Sequence, residues 1–415
     1  MQANSLKTLA TALIFSAIHA TGHTATFTVK STAPGSTGSC AATCTLQDAL
    51  NAATTSPVID TIAFNIAGAG PHEFNFPVVV ANSIILDGFT QPGSTLNGLA
   101  QGTNATLKIR FFKRLEFTSP ALGSTVRGVE FINLDAPGTG SFSILNAANR
   151  LRVLGCKFAG RNTAISSFNE IQVGSFSSLD RNAFFSQRNI VLSAGIFAGF
   201  NVSASNSVIL NNIFGRSEDL SSVVAIGDAI QIIAGSNIQI GGVGAGEGNV
   251  FSGASVNGAV FFSGGSTGVQ MRGNRFTGNT PRPIALITTF PVPNDLDDVD
   301  TGPNGLQNFP VLTAVNNLRP NGYTRIAGTL DRPASAGSRI YDIDFYLSAS
   351  CHSSGRGEGD AFFRTFAFTS TGPTDESFSS LSFGSALPTG SVVTAIATER
   401  ATGNSSEFSA CFVVP

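Results

Sequence analysis

The hexapeptide VRGVEF at residues 126–131 recurs as VLGCKF at 153–158, ILNNIF at 209–214 and MRGNRF at 271–276. Each copy begins with an apolar residue, has Gly or Asn two positions on, and has Phe three positions after that. With Phe184 and Phe251, the six phenylalanines fall 27, 26, 30, 37 and 25 residues apart. Internal similarity at a period of about 20 to 50 residues is the mark of a solenoid. The sequence therefore predicts a stacked coil with one phenylalanine on each turn.

A second repeat supports the same architecture. IQVG at 171–174 and IQIG at 238–241 are each followed, after seven intervening residues, by Asn-x-Phe. Both copies predict a strand, then a widened turn, and then one of the regularly spaced phenylalanines. Residues 57–290 have room for roughly nine coils of about 26 residues, with strands about 4.8 Å apart. The longer spacings of 30 and 37 residues predict insertions in the turns before Phe214 and Phe251. These widened corners are the first place to look for a functional face.

Composition narrows the class of protein. The chain of 415 residues contains 45 Gly, 34 Phe and no Trp, with a net charge of -2 and only 12% charged residues. Abundant Gly and Phe favour short strands joined by tight turns. The charge balance lacks the basic footprint of a nucleic-acid-binding protein. The scarcity of Trp and Tyr counts modestly against a dedicated carbohydrate-binding module.

The first 25 residues have the layout of a secretory signal peptide. Lys7 precedes an apolar run at 9–18, and small residues follow at 20–25. No later run approaches the roughly 20 apolar residues of a membrane span. We therefore expect an exported protein, extracellular or attached to a cell surface.

Five cysteines in an exported chain suggest two disulfides and one free thiol. Cys40 with Cys44 would form a local bridge, and Cys351 with Cys411 would join two segments near the C-terminus. Cys156 lies two residues before Phe158, so we expect it to be a buried small residue of the stack.

Four stretches resemble those of bacterial secreted right-handed β-helix proteins. CTLQDAL at 44–50 is similar to the C-S-L-R-E-A-I signature of that family, and 242–251 is similar to its I-G-G-x-x-x-G-x-G-N-x-x-S-G-N repeats. The segment 294–312 resembles the D-x-D-x-G-P-N-x-x-Q-N-F-P-V-L junction after its β-helix. GNSSEFS at 403–409 resembles its C-terminal module.

The resemblance implies an all-β chain, a pectin-lyase-like parallel β-helix followed by a small β-sandwich. The expected divisions are a signal peptide at 1–25, an N-terminal cap at 26–56, the right-handed β-helix at 57–293, an acidic junction at 294–312 and the sandwich at 313–415. In the cap, Thr45 and Asp48 form a capping-box pattern that predicts a short amphipathic helix at about 45–53. This helix would cover the open end of the coil.

Beyond residue 312, short runs read as strands separated by Gly, Pro and Ser turns, which suggests a β-sandwich. These runs are 324–330, 341–347, 361–368, 377–383, 391–398 and 407–414. In the second run, Ile343 and Phe345 alternate with Asp342, Asp344 and Tyr346. The alternation predicts one buried face and one face in water.

Many parallel β-helices are polysaccharide lyases or hydrolases, so catalytic groups must be sought directly. A lyase needs a base and a group that neutralises a uronate carboxylate. The charged candidates within the coil are Lys157, Arg161, Asp180, Arg181, Asp228, Arg272 and Arg275. Lys157 and Arg275 each precede a ladder phenylalanine, so we expect them on one outer face.

A solvated outer face explains these charges more simply than catalysis does. The N-T-D, G-H-G and R-I-K signatures of pectin-degrading hydrolases are absent from the sequence. The leading prediction is therefore a non-catalytic adhesion or binding protein whose partner is an extracellular polysaccharide or another cell-surface ligand. The alternatives are a polysaccharide lyase or glycoside hydrolase acting along the coil, and a structural spacer that displays the sandwich.

The acidic junction is the one candidate metal site. Asp295, Asp297, Asp298 and Asp300 could supply oxygen ligands to Ca²⁺, although the segment lacks the Gly and terminal Glu of an EF-hand. A solvated acidic linker is the other interpretation. Bound calcium would stiffen the joint, and no other cofactor is predicted.

Overall fold

The computed structural model describes most of the chain after the predicted signal peptide, which lies outside the described residues except for its last two positions. The described ranges are 24–53, 58–133, 142–160, 163–177, 180–184, 198–203, 205–280, 282–288, 291–318, 323–333, 337–371, 375–380 and 386–415.

Three parallel sheets wind around one core as a β-helix. The first sheet contains β1 (Thr26–Val29), β2 (Asp60–Phe64), β5 (Ile84–Asp87), β8 (Thr125–Arg127), β11 (Leu151–Leu154), β14 (Ile171–Val173), β17 (Val208–Ile209), β20 (Gly235–Gly241) and β23 (Ser266–Arg272). The second contains β3 (His72–Phe74), β6 (Ile109–Phe111), β9 (Glu130–Asn133), β12 (Lys157–Gly160), β15 (Ala183–Phe184), β18 (Ile213–Phe214), β21 (Val250–Ser252) and β24 (Arg275–Thr277). The third contains β4 (Val78–Val80), β7 (Leu115–Phe117), β10 (Phe142–Asn146), β13 (Thr163–Ser167), β16 (Ala198–Val202), β19 (Asp228–Ile232), β22 (Val260–Phe262) and β25 (Ile284–Ala285).

Within the described residues, the strands from β2 to β25 form eight complete turns, one fewer than the residue spacing suggested. The difference comes from the long loop at 88–108, which joins β5 to β6. This loop uses nearly the length of a turn without adding a strand to any of the three sheets.

The recurring hexapeptide is the corner between the first and second sheets. Val153 is an inward-facing residue near the end of β11, and Phe158 is an inward-facing residue near the start of β12. Both side chains are fully buried. Between them Gly155 has a φ of 59°, and Asn211 in the equivalent position has a φ of 57°. Glycine enters this left-handed region without steric cost and asparagine tolerates it, which explains the residue choice.

The predicted phenylalanine ladder is a stack of buried rings. The ring centroids of Phe131 and Phe158 are 5.0 Å apart and nearly parallel, and those of Phe251 and Phe276 are also 5.0 Å apart. Phe111 lies 5.6 Å before Phe131, and it continues the stack toward the N-terminus. Each buried ring contributes about 1.5–3 kcal/mol of apolar burial. The stack is therefore a main source of the rod's stability.

A second internal ladder is polar. Asn182, Asn212, Asn249 and Asn274 follow one another up the corner, and each side-chain Nδ2 donates to the next Oδ1 at 2.9 Å. The same amides bond buried backbone groups, such as the N–H of Asn212 to Asn249 Oδ1 at 2.9 Å. The neighbouring Asn211 points out of this ladder, and its Oδ1 accepts from Arg181 Nε instead.

A short helix, α1 (Leu46–Ala53), lies at the N-terminal end. The Thr45 N–H donates to Asp48 Oδ2 at 3.0 Å, and the Asp48 N–H donates to Thr45 Oγ1 at 3.1 Å, as in a capping box. Leu46 and Ala49 are buried in the same apolar core as the coil.

Two antiparallel sheets follow the rod. One has the order β26 (Val311–Leu318), β27 (Tyr323–Leu330), β30 (Glu376–Ser379), and the other has the order β29 (Ala361–Ser370), β28 (Arg339–Ser348), β31 (Val392–Glu399), β32 (Phe412–Val413). Residues from both sheets, such as Ile326 and Phe345, share a second apolar core.

Side chains from this C-terminal part and from the junction before it bond the edge of the last turn. Glu407 accepts from the N–H groups of Leu286 at 3.0 Å and Val292 at 3.2 Å. Glu358 accepts from the Asn279 N–H at 2.7 Å, and Asn304 Oδ1 accepts from the Val269 N–H at 2.9 Å. Backbone groups left without a next strand are thereby satisfied.

Apolar contacts close the same end. Phe408 packs edge-on against Phe276 with centroids 5.5 Å apart, and Tyr346 packs against Phe408 at 5.1 Å. The phenylalanine stack therefore continues into the C-terminal sheets.

Two expectations for this part were wrong. Asp342, Asp344 and Tyr346 were predicted to face water, but they are 5%, 0% and 0% exposed. That face of β28 packs on the end of the rod. The predicted strand at 407–414 is reduced to β32, because Glu407 and Phe408 turn toward the rod instead of continuing a sheet.

The cysteines pair as the sequence predicted. Disulfides join Cys40 to Cys44 and Cys351 to Cys411. Cys156 is a buried free thiol, and burial raises its pKa to about 12. Among the described residues, none of the helices is long and apolar enough to cross a membrane.

Replacing one ladder ring tests the importance of the stack. Phe158→Ala should lower the free energy of unfolding by about 3–5 kcal/mol, because the cavity cannot close between fixed neighbouring turns. Urea unfolding would measure this change. Phe168→Ala is the control, since Phe168 is 56% exposed and should change stability by about 0.5 kcal/mol or less. Equal losses in the two variants would contradict a ladder-based core.

The contact of Glu407 predicts a pH dependence of stability. Burial, opposed by the amides of Leu286 and Val292, raises the pKa of Glu407 from 4.5 to about 7. The folded protein therefore holds this proton more tightly than the unfolded chain does. The free energy of unfolding should be highest below about pH 4.5 and should fall by about 3 kcal/mol as the pH rises through 7.

Urea unfolding at pH 5 and pH 8 would measure the effect. Glu407→Gln cannot titrate, so the difference between the two pH values should shrink, whereas Glu73→Gln, at an exposed position on β3, should leave it unchanged. A Glu407→Gln protein with the full wild-type difference would rule out this assignment.

Candidate functional site

An open cleft of about 520 Å³ runs along the corner where the third sheet passes into the first. Each of four successive turns contributes its corner residues, so the cleft extends about 14 Å along the rod. Its lining residues are Leu122, Asn149, Arg150, Phe168, Asn169, Glu170, Ser203, Ser205 and Asn206.

The cleft combines apolar surface with polar side chains. Phe168 and Leu122 are 56% and 46% exposed. Arg150 Nε lies 3.5 Å from Glu170 Oε2, so the charges of the lining balance. Asn149 is exposed, and its side chain has no hydrogen-bond partner among the described residues. Such an arrangement can hold a ligand by apolar contact and fix it by directional hydrogen bonds.

Contacts between turns hold some of the lining amides in place. Asn169 Nδ2 donates to the Ala147 carbonyl at 2.6 Å. Asn206 Oδ1 accepts from Asn237 Nδ2 at 2.8 Å. The Arg150 N–H donates to the Glu170 carbonyl at 2.9 Å. Because each corner is anchored to the next turn, the lining is preorganised along the rod.

The sequence analysis missed this cleft, although a signal was present. An asparagine stands two positions before a first-sheet strand in Asn149-Arg150-Leu151, Asn169-Glu170-Ile171 and Asn206-Ser207-Val208. The repeat marks one corner of the coil. The predicted functional corners lay before Phe214 and Phe251, and the described cleft is at a different corner.

Lys157 and Arg181 lie on the outer side of the second sheet, near two loops. Lys157 Nζ forms an ion pair with Glu218 Oε1 at 2.7 Å. Arg181 donates to the carbonyls of Ala100 at 2.8 Å and Gly102, and its Nε donates to Asn211 Oδ1 at 2.9 Å. Burial lowers the pKa of Arg181. Arg181 therefore anchors the loop at 88–108 to the rod.

Asp180 and Asp228 also have local partners. Asp180 Oδ2 accepts from Ser175 Oγ at 2.6 Å. Asp228 is fully buried, and its carboxylate accepts from the Asn257 N–H at 2.7 Å and the Gly258 N–H at 3.1 Å. Burial raises the pKa of Asp228 despite these bonds. The Asp228 carboxylate holds the loop before β22 in place.

The remaining candidates are spread along the rod. Arg272 forms ion pairs with Asp342 at 2.6 Å and Asp344 at 2.7 Å, where the rod meets β28. Arg275 and Lys157 occupy the same outward row, as predicted, but four strand spacings separate them, about 19 Å. Arg161 lies outside the described residues. None of the described candidates lines the cleft.

The acidic loop brings three of its four predicted ligands together. One carboxylate oxygen from each of Asp295, Asp298 and Asp300 lies within 4.8 Å of the others. Asp297 is not in this group, and its N–H donates to both oxygens of Asp331 at 3.2 Å.

The loop leaves carboxylate oxygens unsatisfied. Asp295 Oδ1 and Asp300 Oδ1 are buried and have no hydrogen-bond partner among the described residues. Burial, together with the charges of Asp295 and Asp300 and against the Asn308 amide, raises the pKa of Asp298 to about 7. A bound hard cation would offset the repulsion between these like charges and would give the carboxylate oxygens the partner that hydrogen-bond donors do not supply.

Comparison with known proteins gives few matches. No protein-family model and no curated protein matches the chain. Among solved structures it is similar to the enzymatically active domain of tailspike protein 2 from bacteriophage CBA120, with 11% identity, a TM-score of 0.31, and coverage of 85% of this chain and 66% of that one. The full-length tailspike protein 2 from an Escherichia coli O157:H7 bacteriophage matches with 12% identity, a TM-score of 0.32, and coverage of 86% and 62%. The chain thus spans just under two thirds of these structures, and TM-scores this low carry no inference about function.

Proposed function

We propose that the protein is an extracellular binding protein that holds a polysaccharide chain in the cleft between its third and first sheets. The observation that carries the proposal is a preorganised cleft across four turns with an exposed Phe168 beside amide and hydroxyl side chains. Sugar rings have apolar faces and hydroxyl edges, and this lining offers contacts for both. The two disulfides agree with an exported protein.

The charge of the cleft favours an uncharged glycan. Among the described lining residues, Arg150 and Glu170 form the one ion pair, and their charges cancel each other. The other lining side chains are neutral, so an acidic polymer gains no net attraction there. A neutral hexose or N-acetylhexosamine chain lying parallel to the rod axis would meet successive corners.

Phe168→Ala tests the cleft directly. Loss of its ring should weaken glycan binding about tenfold, equivalent to about 1.4 kcal/mol, with little change in stability. Isothermal titration calorimetry with neutral oligosaccharides, such as cello-, xylo- and chito-oligosaccharides, would measure it. Phe176→Ala is the matched control, because Phe176 is similarly exposed, at 62%, but lies outside the cleft.

The outcomes separate the functional alternatives. Equal weakening by both variants, or binding that survives Phe168→Ala, would place the ligand elsewhere. A hydrolase needs two carboxyl groups beside the scissile bond, whereas Glu170 is the one acidic residue among the described cleft residues. Release of reducing ends, or of unsaturated products absorbing at 235 nm from uronate polymers, would replace the binding role with an enzymatic one.

We further propose that Asp295, Asp298 and Asp300 bind Ca²⁺ and stiffen the joint between the rod and the C-terminal sheets. Three carboxylates supply the hard oxygen ligands that this ion prefers. The loop spans the junction, since Asn294 Nδ2 donates to the Phe309 carbonyl at 2.8 Å and the Asp297 N–H meets Asp331 just after β27. Asp297 is not assigned as a ligand.

Calcium should therefore raise the melting temperature. At a hundredfold excess over Kd the ion adds about 2.7 kcal/mol, or about 3 °C for a chain of this size. Thermal unfolding in Ca²⁺ or in EDTA would show this difference, Mg²⁺ should have a smaller effect, and Asp300→Asn should reduce the response. An unchanged melting temperature in millimolar Ca²⁺ would dispose of the site.

We interpret the two C-terminal sheets as the predicted β-sandwich and α1 as the predicted N-terminal cap. Both share an apolar core with their neighbours, and the resemblance to the bacterial secreted family included both. The right-handed winding of the rod is expected because nearly all parallel crossovers are right-handed.

A further inference from the structure

The surface beside Phe168 continues along the rod past the residues that line the cleft. The residues that immediately follow β13, β16, β19 and β22 are Phe168, Ser203, Ile233 and Ser263, here called the exit row. These four strands pair in register, so the members of the exit row lie on successive turns. The N–H groups of Ser203 and Ser263 each donate to the turn before at 2.9 Å, which carries the register past the strand ends.

The exit row alternates between apolar and hydroxyl side chains. Phe168 and Ile233 are 56% and 38% exposed. Ser203 lies between them and is half-buried, and Ser263 follows Ile233 and is exposed. Two strand spacings, about 10 Å, separate the two apolar residues. The same kind of contact therefore returns at every second turn.

Amides on the opposite side of the corner extend the cleft in the same direction. Asn206 lines the cleft, and the exposed Asn237 of the next turn donates from Nδ2 to Asn206 Oδ1 at 2.8 Å. One turn further, the Gly268 N–H donates to Asn404 Oδ1 at 2.6 Å, so the C-terminal part covers this side. The groove thus runs over six corners, from that of Leu122 to that of Ser263, a length of about 24 Å.

The alternation matches one way of linking sugars. The length of one sugar in an extended chain is close to the distance between neighbouring turns. In a β-1,4-linked chain each sugar is turned over relative to the one before, so the same ring face returns only at every second sugar. An α-1,4-linked chain curls away from a straight row. An α-1,6-linked chain has an additional rotatable bond at each link, which must be ordered on binding.

We propose that the groove selects a β-1,4-linked glycan. Every second sugar packs its more apolar face on Phe168 or Ile233, and the sugars between them bond the hydroxyl groups of Ser203 and Ser263. The groove length corresponds to about six sugars at one sugar for each turn. This inference rests on the proposed glycan-binding function, to which it adds the linkage and the length of the bound segment.

Hexasaccharides of one composition test the linkage. Cellohexaose, maltohexaose and isomaltohexaose contain the same six glucose units and differ in how these are joined. In isothermal titration calorimetry with the full chain, cellohexaose should bind at least about tenfold more tightly than either α-linked sugar. Equal affinity for the three would overturn the linkage selection and leave glycan binding in place. Binding of none of them, or of chito-oligosaccharides, would overturn the proposed function as well.

Ile233→Ala tests the second apolar contact. Affinity should rise from cellobiose, which reaches one apolar residue at a time, to cellohexaose, which reaches both. Ile233→Ala should weaken cellohexaose binding about fivefold and reduce this gain, because one of the two contacts is lost.

Val243→Ala is the matched control, since Val243 is 46% exposed on the same turn but follows β20, at the corner between the first and second sheets. It should bind cellohexaose as the wild type does, and circular dichroism would show that both variants are folded. Wild-type affinity in Ile233→Ala, alongside weakened binding in Phe168→Ala, would overturn the two-point contact.

Discussion

Hydrogen bonding at the open end of the rod is the constraint on which the rest of the structure depends. Every turn of a parallel β-helix uses the next turn to satisfy its backbone N–H and C=O groups, so the last turn has no such partner. Here Glu358, Asn304 and Glu407 supply acceptors to the last turn. The C-terminal part therefore does more than follow the rod, because it completes the rod's hydrogen bonding and its apolar stack.

The interior of the rod shows why its register is fixed. The phenylalanine stack fills one side of the second sheet, and the asparagine ladder bonds buried backbone at the adjacent corner. A slip of one residue would move every ring to the outside and every amide away from its partner. A regular interior leaves the corners free to vary, and the loops and the cleft occur at those corners.

The charged side chains divide into those that hold the structure together and those that remain at the surface. Arg181, Arg272 and Asp228 bond neighbouring segments, so their charged groups are already engaged in tertiary contacts. Arg150 lines an open cleft, and Arg275 has a guanidinium with an unsatisfied donor. All of these are charged residues of the same repeat region. Only the contacts that their side chains make in the folded protein separate the two groups.

The sequence by itself determined the solenoid, because the hexapeptide repeats report a local event, a strand followed by a left-handed corner and an inward phenylalanine, that recurs at a regular interval. It also indicated the disulfide pairs, the capping box at Thr45 and Asp48, and the acidic loop. The hexapeptide pattern did not identify Phe111, because the residues before it do not match the pattern, although its ring stacks with the others.

Only the tertiary structure decided which surfaces are covered and which are open. The alternation in β28 predicted a wet face for Asp342 and Asp344, but the end of the rod packs on that face, and no local pattern contains that contact. Likewise, Asn149, Phe168 and Asn206 are far apart in sequence and meet only when the turns stack. The backbone conformation of each short segment follows from its local sequence, whereas contacts between residues of different turns depend on the register of the whole stack.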